Sequence, residues 1–247
     1  MKRITYILAL LFCFSGYTQS NETNNNSTKK RYAGVMRYYT GLSAPEMDAA
    51  DKFDRFNTDF FYNSWLGDAN GVTTKFYAIG HAINLMFDIP FSKTSRMGIA
   101  LGFGYSHFNV RHDGAFNFID EPVGDKIYSS LAQYTGAKRW INRTVFNFIE
   151  VPFEIRFRSR KERGKWKFYP GFKVGFMFEN YSKWRVENYE FKEFNFPDLN
   201  RFHYGPTVRL GRDNVFLFGY YDMTTLFTNS NSNKLQLMAV GISFGWF

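Results

Sequence analysis

The chain has 247 residues, 45% of them apolar and 21% aromatic, with Lys+Arg 31 against Asp+Glu 22 for a formal charge of +9. This apolar content excludes global disorder. With the single Cys13 it also excludes a disulfide scaffold or a multi-cysteine zinc module. Past the N-terminus no apolar run approaches the roughly 20 residues of a spanning helix, so helical membrane proteins are excluded, and strands are left as the means of meeting lipid.

In chain order, residues 1–18 read as a secretory signal: Lys2 and Arg3 precede the apolar stretch 4–14, and small or polar residues follow from Ser15. Cleavage after Thr18 removes Cys13 and two positive charges, leaving +9 − 2 = +7. Cys13 follows Phe12, where a lipobox needs a small residue, which argues against lipidation. Residues 19–55 read as a periplasmic tether. It contains an Asn-rich polar run and one short helix near 45–55, suggested by Pro45 at a first helical position and a Ser43/Glu46 capping box.

From 56 to 247 the pattern has period two. In 143–158 the odd positions Val145, Ile149, Val151, Phe153, Ile155 and Phe157 are apolar, while Glu150, Glu154, Arg156 and Arg158 occupy even ones. Residues 165–183 alternate in the same way, with Phe168, Phe172, Val174, Phe176 and Phe178 opposite Lys167, Tyr169, Lys173, Glu179 and Lys183. Segments 76–91 and 97–108 follow suit, and weaker strands fall at 56–66, 201–211, 215–226 and 234–247. The total is eight, an even number. Long connections (67–73, 113–142, 184–200, 227–233) alternate with short ones (92–96, 159–164, 212–214). This predicts an all-β fold: an eight-stranded antiparallel transmembrane β-barrel with tight periplasmic turns, longer external loops and a filled lumen. A soluble sandwich or lipocalin-like barrel has the same alternation; strand length and the export signal favour the membrane. Pro90, Pro152, Pro170 and Pro206 fall within strands, and a bulge is expected at Pro152. Outward Phe153, Phe157, Phe172, Phe176, Phe178 and Phe244 suit the lipid face, and Trp65, Trp166, Trp184 and Trp246 are expected in interfacial girdles.

Phe148-Ile149-Glu150-Val151-Pro152-Phe153-Glu154-Ile155-Arg156-Phe157 resembles a Y-L-E-I-P-L-x-L-K-Y strand of the PorT-like outer-membrane β-barrel family of the Bacteroidota. Phe168-Tyr169-Pro170-Gly171-Phe172-Lys173-Val174-Gly175 is similar to that family's following strand, Phe87-Asp88-Ile89-Pro90-Phe91 to an earlier one, and the closing Gly241–Phe247 to its terminal strand. The resemblance spans 56–247. It implies an eight-stranded barrel in the cell outer membrane and, through the family's named member, an accessory role in type IX secretion. The chain departs from the family in having Phe218 and Tyr220 where relatives often place an acid and an Arg, and in carrying Phe247 off the apolar phase.

Candidate chemistry is sparse. Glu150, Glu154, Arg156, Lys173 and Arg209 share the inward phase and are expected to form a lumen charge network, since buried charges need partners. His107 and His112 point to opposite faces, His81 falls on the lipid phase and His203 on the inward one, so no metal site is expected. Gly102-x-Gly104 reads as small inward residues rather than a dinucleotide fingerprint, and G-x-S-x-G and H-E-x-x-H are absent. The basic run 158–165 suits a periplasmic turn meeting anionic headgroups, and export argues against nucleic acid. No cofactor and no catalytic residue are expected. The expected partners are outer-membrane lipid and an envelope or secretion-system protein. The rival readings are a narrow pore and, more remotely, a lipid-modifying enzyme using His107 or His112 with Asp113.

Overall fold

A computed structural model describes residues 54–91, 95–120, 127–136, 139–159, 165–194 and 196–246. The expected signal, and the expected tether with its short helix up to residue 53, lie outside these residues. Eleven strands follow: β1 (Phe56–Gly67), β2 (Ile79–Pro90), β3 (Met97–Arg111), β4 (Gly114–Asp120), β5 (Ile127–Gln133), β6 (Arg139–Arg158), β7 (Trp166–Val186), β8 (Tyr189–Glu193), β9 (Phe202–Arg212), β10 (Val215–Tyr221) and β11 (Leu235–Trp246).

Eight of them close a ring. β1, β2, β3, β6, β7, β9, β10 and β11 pair antiparallel in succession, β6 joins β7, and β11 returns to β1 from Phe56↔Trp246 to Gly67↔Leu235. No barrel edge is left unpaired, which is the condition for strands to cross hydrocarbon. β8 extends the outer end of β7, and β4–β5 form a separate hairpin inside the long connection 113–142.

The alternation sorts side chains by environment. On β6, Ile149, Val151, Phe153 and Ile155 are exposed while Glu150, Pro152, Glu154, Arg156 and Arg158 are buried. On β9 the inward His203, Gly205, Thr207 and Arg209 alternate with outward Phe202, Tyr204, Pro206 and Val208. The ring strands run from 7 residues in β10 to 21 in β7, and about 9–11 tilted residues suffice to cross.

Four expectations are corrected. Pro152 makes no bulge: it pairs with Lys173 in register. Facing β3, the pairing passes from Leu101↔Phe153 to Gly104↔Glu150 without a register change, so the missing N–H costs a local ladder contact only. The bulge lies instead at Phe178, which is skipped between Asn147↔Glu179 and Phe148↔Met177. Beyond it the phase reverses, turning Ser182 inward and Glu179 and Lys183 outward, against the inward reading of the last two. β10 ends at Tyr221 rather than 226, because Asp222 turns in to accept from His203 and Thr224. Trp65 and Trp184 leave the girdle: Trp65 is buried against the His112 ring at 4.8 Å, and Trp184 stacks on Phe191. Trp166 and Trp246 do face outward.

Phe153 lies midway along the apolar face of β6. We expect Phe153→Arg to destabilise the folded barrel by about 2–4 kcal/mol, the range for a cation at the bilayer midplane. Urea titration in phosphatidylcholine vesicles, read by gel mobility without boiling, tests this.

Candidate functional site

The lower half of the lumen holds opposed charges in equal number. Among the described residues, buried Asp54, Asp59, Asp88, Glu150 and Glu154 face Arg156, Arg158, Lys167, Lys173 and Arg209, five of each sign. Arg209 bridges Asp59 at 2.7 Å and also meets Glu154; Arg156 joins Glu154 at 2.9 Å to Asp88 at 2.8 Å. Arg158 also engages Asp88, while Lys167 reaches Asp54 at 2.7 Å and Tyr169 donates to the same carboxylate. Higher up, Lys173 pairs with Glu150 at 2.8 Å, and Ser106 donates to Glu150.

All five sequence-derived positions, Glu150, Glu154, Arg156, Lys173 and Arg209, are therefore buried and ion-paired. The strand phase did not single out Asp54, Asp59, Asp88, Arg158 and Lys167 as their partners. Asp54 precedes β1, so no period-two pattern reaches it; the others lay on inward positions without any signal of which pairs meet. Small residues make the room: a Cβ on Gly104 would strike Asn84 Oδ1, whose amide nitrogen donates to Asp59 at 3.0 Å. This explains Gly102-x-Gly104 without a nucleotide.

The upper half is aromatic. Phe61, Phe108, Phe148, Phe218 and Tyr220 point inward, with Phe61–Phe108 centroids 5.0 Å apart and Phe108–Phe148 5.5 Å. The ammonium of Lys173 lies 3.8 Å from the Tyr220 ring centre, joining the ionic layer to the aromatic one. Above them the outer loops lock together. Phe116 of β4 packs edge-on against Phe196 at 5.1 Å and Phe227 at 5.9 Å. The Asp198 carboxylate accepts from the Ser129 backbone N–H at 3.2 Å and from the Ser129 and Ser232 hydroxyls. Asn233 accepts from Leu131 N–H at 2.5 Å and donates to Asp68 O at 3.0 Å, and Asn70 donates to Leu131 O at 2.9 Å. Every outer connection is thus tied to another.

The histidines are structural. His203 holds Asp222 at 2.6 Å through Nδ1 and the Asn200 carbonyl at 2.8 Å through Nε2, so neither ring nitrogen is left for a nucleophile. His81 and His107 stack on the outer wall at 5.0 Å. His112 Nε2 meets Thr144 Oγ1 at 3.0 Å, which meets Ser182 Oγ at 3.2 Å, but all three residues are buried. Asp113 does not complete a relay: it accepts from Thr73 N–H at 2.7 Å and from the Thr73 hydroxyl at 2.5 Å. Burial opposes ionisation of Asp113, yet these donors and Lys75 hold its carboxyl below the usual range. Burial, aided by Arg139, pushes His112 down to about 3 against the opposing pull of Asp113. Among the described residues no cluster of three or more metal-ligating side chains occurs.

Two outcomes follow. Arg209→Gln leaves Asp59 and Glu154 short of a cation and is expected to cost about 3–5 kcal/mol; adding Glu154→Gln should recover part of the loss in urea titration. For His112 the unfolded ring protonates near 6.5 and the folded one near 3, so its neutral burial contributes fully above 6.5 and is lost as pH falls toward 3. Hydrogen-exchange protection of β4–β5, corrected for intrinsic rates, should fall between pH 7 and 5, and His112→Gln should flatten that dependence.

The solved structures similar to this chain include the attachment invasion locus protein Ail of Yersinia pestis, 12% identical over 78% of this chain and 97% of that one, with a TM-score of 0.33. Ail in complex with the heparin analogue sucrose octasulfate is 11% identical over the same shares, 78% and 97%, with a TM-score of 0.29. Comparison with curated proteins gives no match. The family model of the outer membrane protein beta-barrel domain matches residues 14–230, and with the closed eight-stranded ring this places the protein in the outer membrane. The chain belongs to the outer-membrane-protein β-barrel domain family.

Proposed function

We propose that this barrel is a non-enzymatic, PorT-like component of the outer membrane that binds a protein partner of the envelope, as an accessory of a secretion assembly. The supporting observation is the sealed interior. Ion pairs fill the periplasmic half, aromatic rings fill the outer half, and interlocked loops cover the mouth. Such a lumen is built to be rigid, and a rigid scaffold carrying fixed loops presents a binding surface. A narrow pore finds no support in it, and neither does a lipid-modifying enzyme: the His112 relay is buried and Asp113 is turned to Thr73.

In this reading residues 1–18 are removed as a signal and 19–55 lie in the periplasm, where they offer a second contact for the partner. The Glu150, Glu154, Arg156, Lys173 and Arg209 network serves to hold the scaffold rigid, with no catalytic part.

Cross-linking of intact cells followed by purification of the barrel should recover a stoichiometric envelope protein, and planar bilayers should show no steady conductance. Recovery of the barrel alone after cross-linking, or a stable ohmic current, would overturn this assignment. N-terminal sequencing of the mature protein should begin at Gln19.

A further inference from the structure

β3, β6 and β7 run well beyond the apolar band, and their outward faces change character there. Above Ile149, the β6 positions on the same strand phase are Asn147 and Val145, both buried, and then Arg143, which is half-buried. At that last level the ladder sets like charges side by side: Arg111 pairs with Arg143, Arg143 with Lys183, and Lys183 with Lys192 of β8. Like charges directly opposite one another on a sheet repel. The row is incompletely neutralised from within. Glu190 reaches Lys183 at 2.6 Å and Arg185 at 2.9 Å, but among the described residues no carboxylate meets Arg111 or Arg143. Among the described residues the Nε groups of both arginines are shielded from solvent and lack a hydrogen-bond acceptor. Aromatic rings flank the row: Arg111 lies over Tyr77 at 5.2 Å, and Lys192 over Tyr181 at 3.8 Å.

Position and spacing identify what would neutralise it. Arg143 is six residues beyond Ile149, roughly 20 Å along the strand and about 15 Å along the membrane normal at a 40° tilt. This is above the hydrocarbon, at the level of saccharide headgroups in the outer leaflet. Neighbouring strands about 4.8 Å apart spread the four cations over roughly 15 Å, the reach of one glycolipid headgroup bearing several anionic groups. The row is also one-sided. The outward strand positions at the outer ends of β9, β10, β11 and β1 are Phe202, Tyr204, Tyr221, Gln236 and Leu66, none charged; exposed Arg201 and Lys234, one residue outside β9 and β11, are single cations with no like-charged strand partner in the ladder. A general headgroup girdle would ring the barrel; this patch occupies one wall.

We propose that Arg111, Arg143, Lys183 and Lys192 form a binding site for the phosphate and carboxylate groups of an anionic outer-leaflet glycolipid. Planar guanidinium forks suit bidentate contact with both groups.

Native mass spectrometry of the detergent-released, folded barrel tests this with three probes: deep-rough lipopolysaccharide, its dephosphorylated derivative and uncharged digalactosyl diacylglycerol. The native chain should retain the first far better than the last, with dephosphorylation weakening retention. Arg111→Gln/Arg143→Gln/Lys183→Gln should lower the retained fraction at least tenfold, while Arg212→Gln, at the opposite end of β9, should not. Gel mobility without boiling verifies that each variant is folded. If the triple variant misfolds, Arg143→Gln against Arg143→Lys gives the same comparison, with Lys keeping the larger share. Equal retention of the uncharged glycolipid, undiminished retention by the variants, or displacement by inorganic phosphate where equal ionic strength of chloride has no effect would each overturn the proposal. Undiminished retention together with loss of an acidic protein partner would assign the row to protein instead.

Discussion

In hydrocarbon no water completes a backbone hydrogen bond, so the ladder must close on itself; the rest of this structure answers to that constraint. Closure joins β11 to β1 along twelve paired positions and makes β6 and β7 neighbours over nearly their whole lengths. With eight strands the ring is narrow, and inward side chains have no solvent to retreat into. They must fit one another in volume and cancel in charge. The five carboxylates and five cations of the lower lumen satisfy the second condition, and glycines such as Gly104 satisfy the first.

The two halves of the interior meet the same requirement by different chemistry. Near the periplasmic end the strands bring acids and bases together; toward the outer mouth they bring rings. Lys173 belongs to both layers, paired with Glu150 on one side and resting on Tyr220 on the other. Phe218 and Tyr220 are members of this aromatic layer. Rings at these inward positions keep the lumen filled without a further ion pair to desolvate.

Much of the barrel was legible because a strand's side chains change face at every residue. Phe153, Phe172, Phe176 and Phe178 fell on the lipid side, and Glu150, Glu154, Arg156, Lys173 and Arg209 on the inner one, from phase alone. Phase does not reveal which inward groups meet, since that depends on the stagger of a closed ring. Arg209 finds Asp59 across 150 residues of chain. Nor does it reveal a phase change: one unpaired residue, Phe178, moved Glu179 and Lys183 to the other face. The outer end was the least readable. Trp65 looked like an interfacial ring until the β4–β5 hairpin covered it, and the Asp198 hub joins residues from three separate loops with no periodic signature.

Asp54 shows how far the lumen's influence extends. It stands before the first ladder residue, yet its carboxylate is held inside the barrel by Lys167 and Tyr169, and its carbonyl accepts from Arg156. The chain therefore leaves the barrel from within its periplasmic mouth rather than from the rim. Tension applied upstream of Asp54 falls first on ionic contacts to β6 and β7, strands on the far side of the ring from β1. A pull at the N-terminus is in this way shared by two walls of the cylinder before any ladder bond of β1 is loaded.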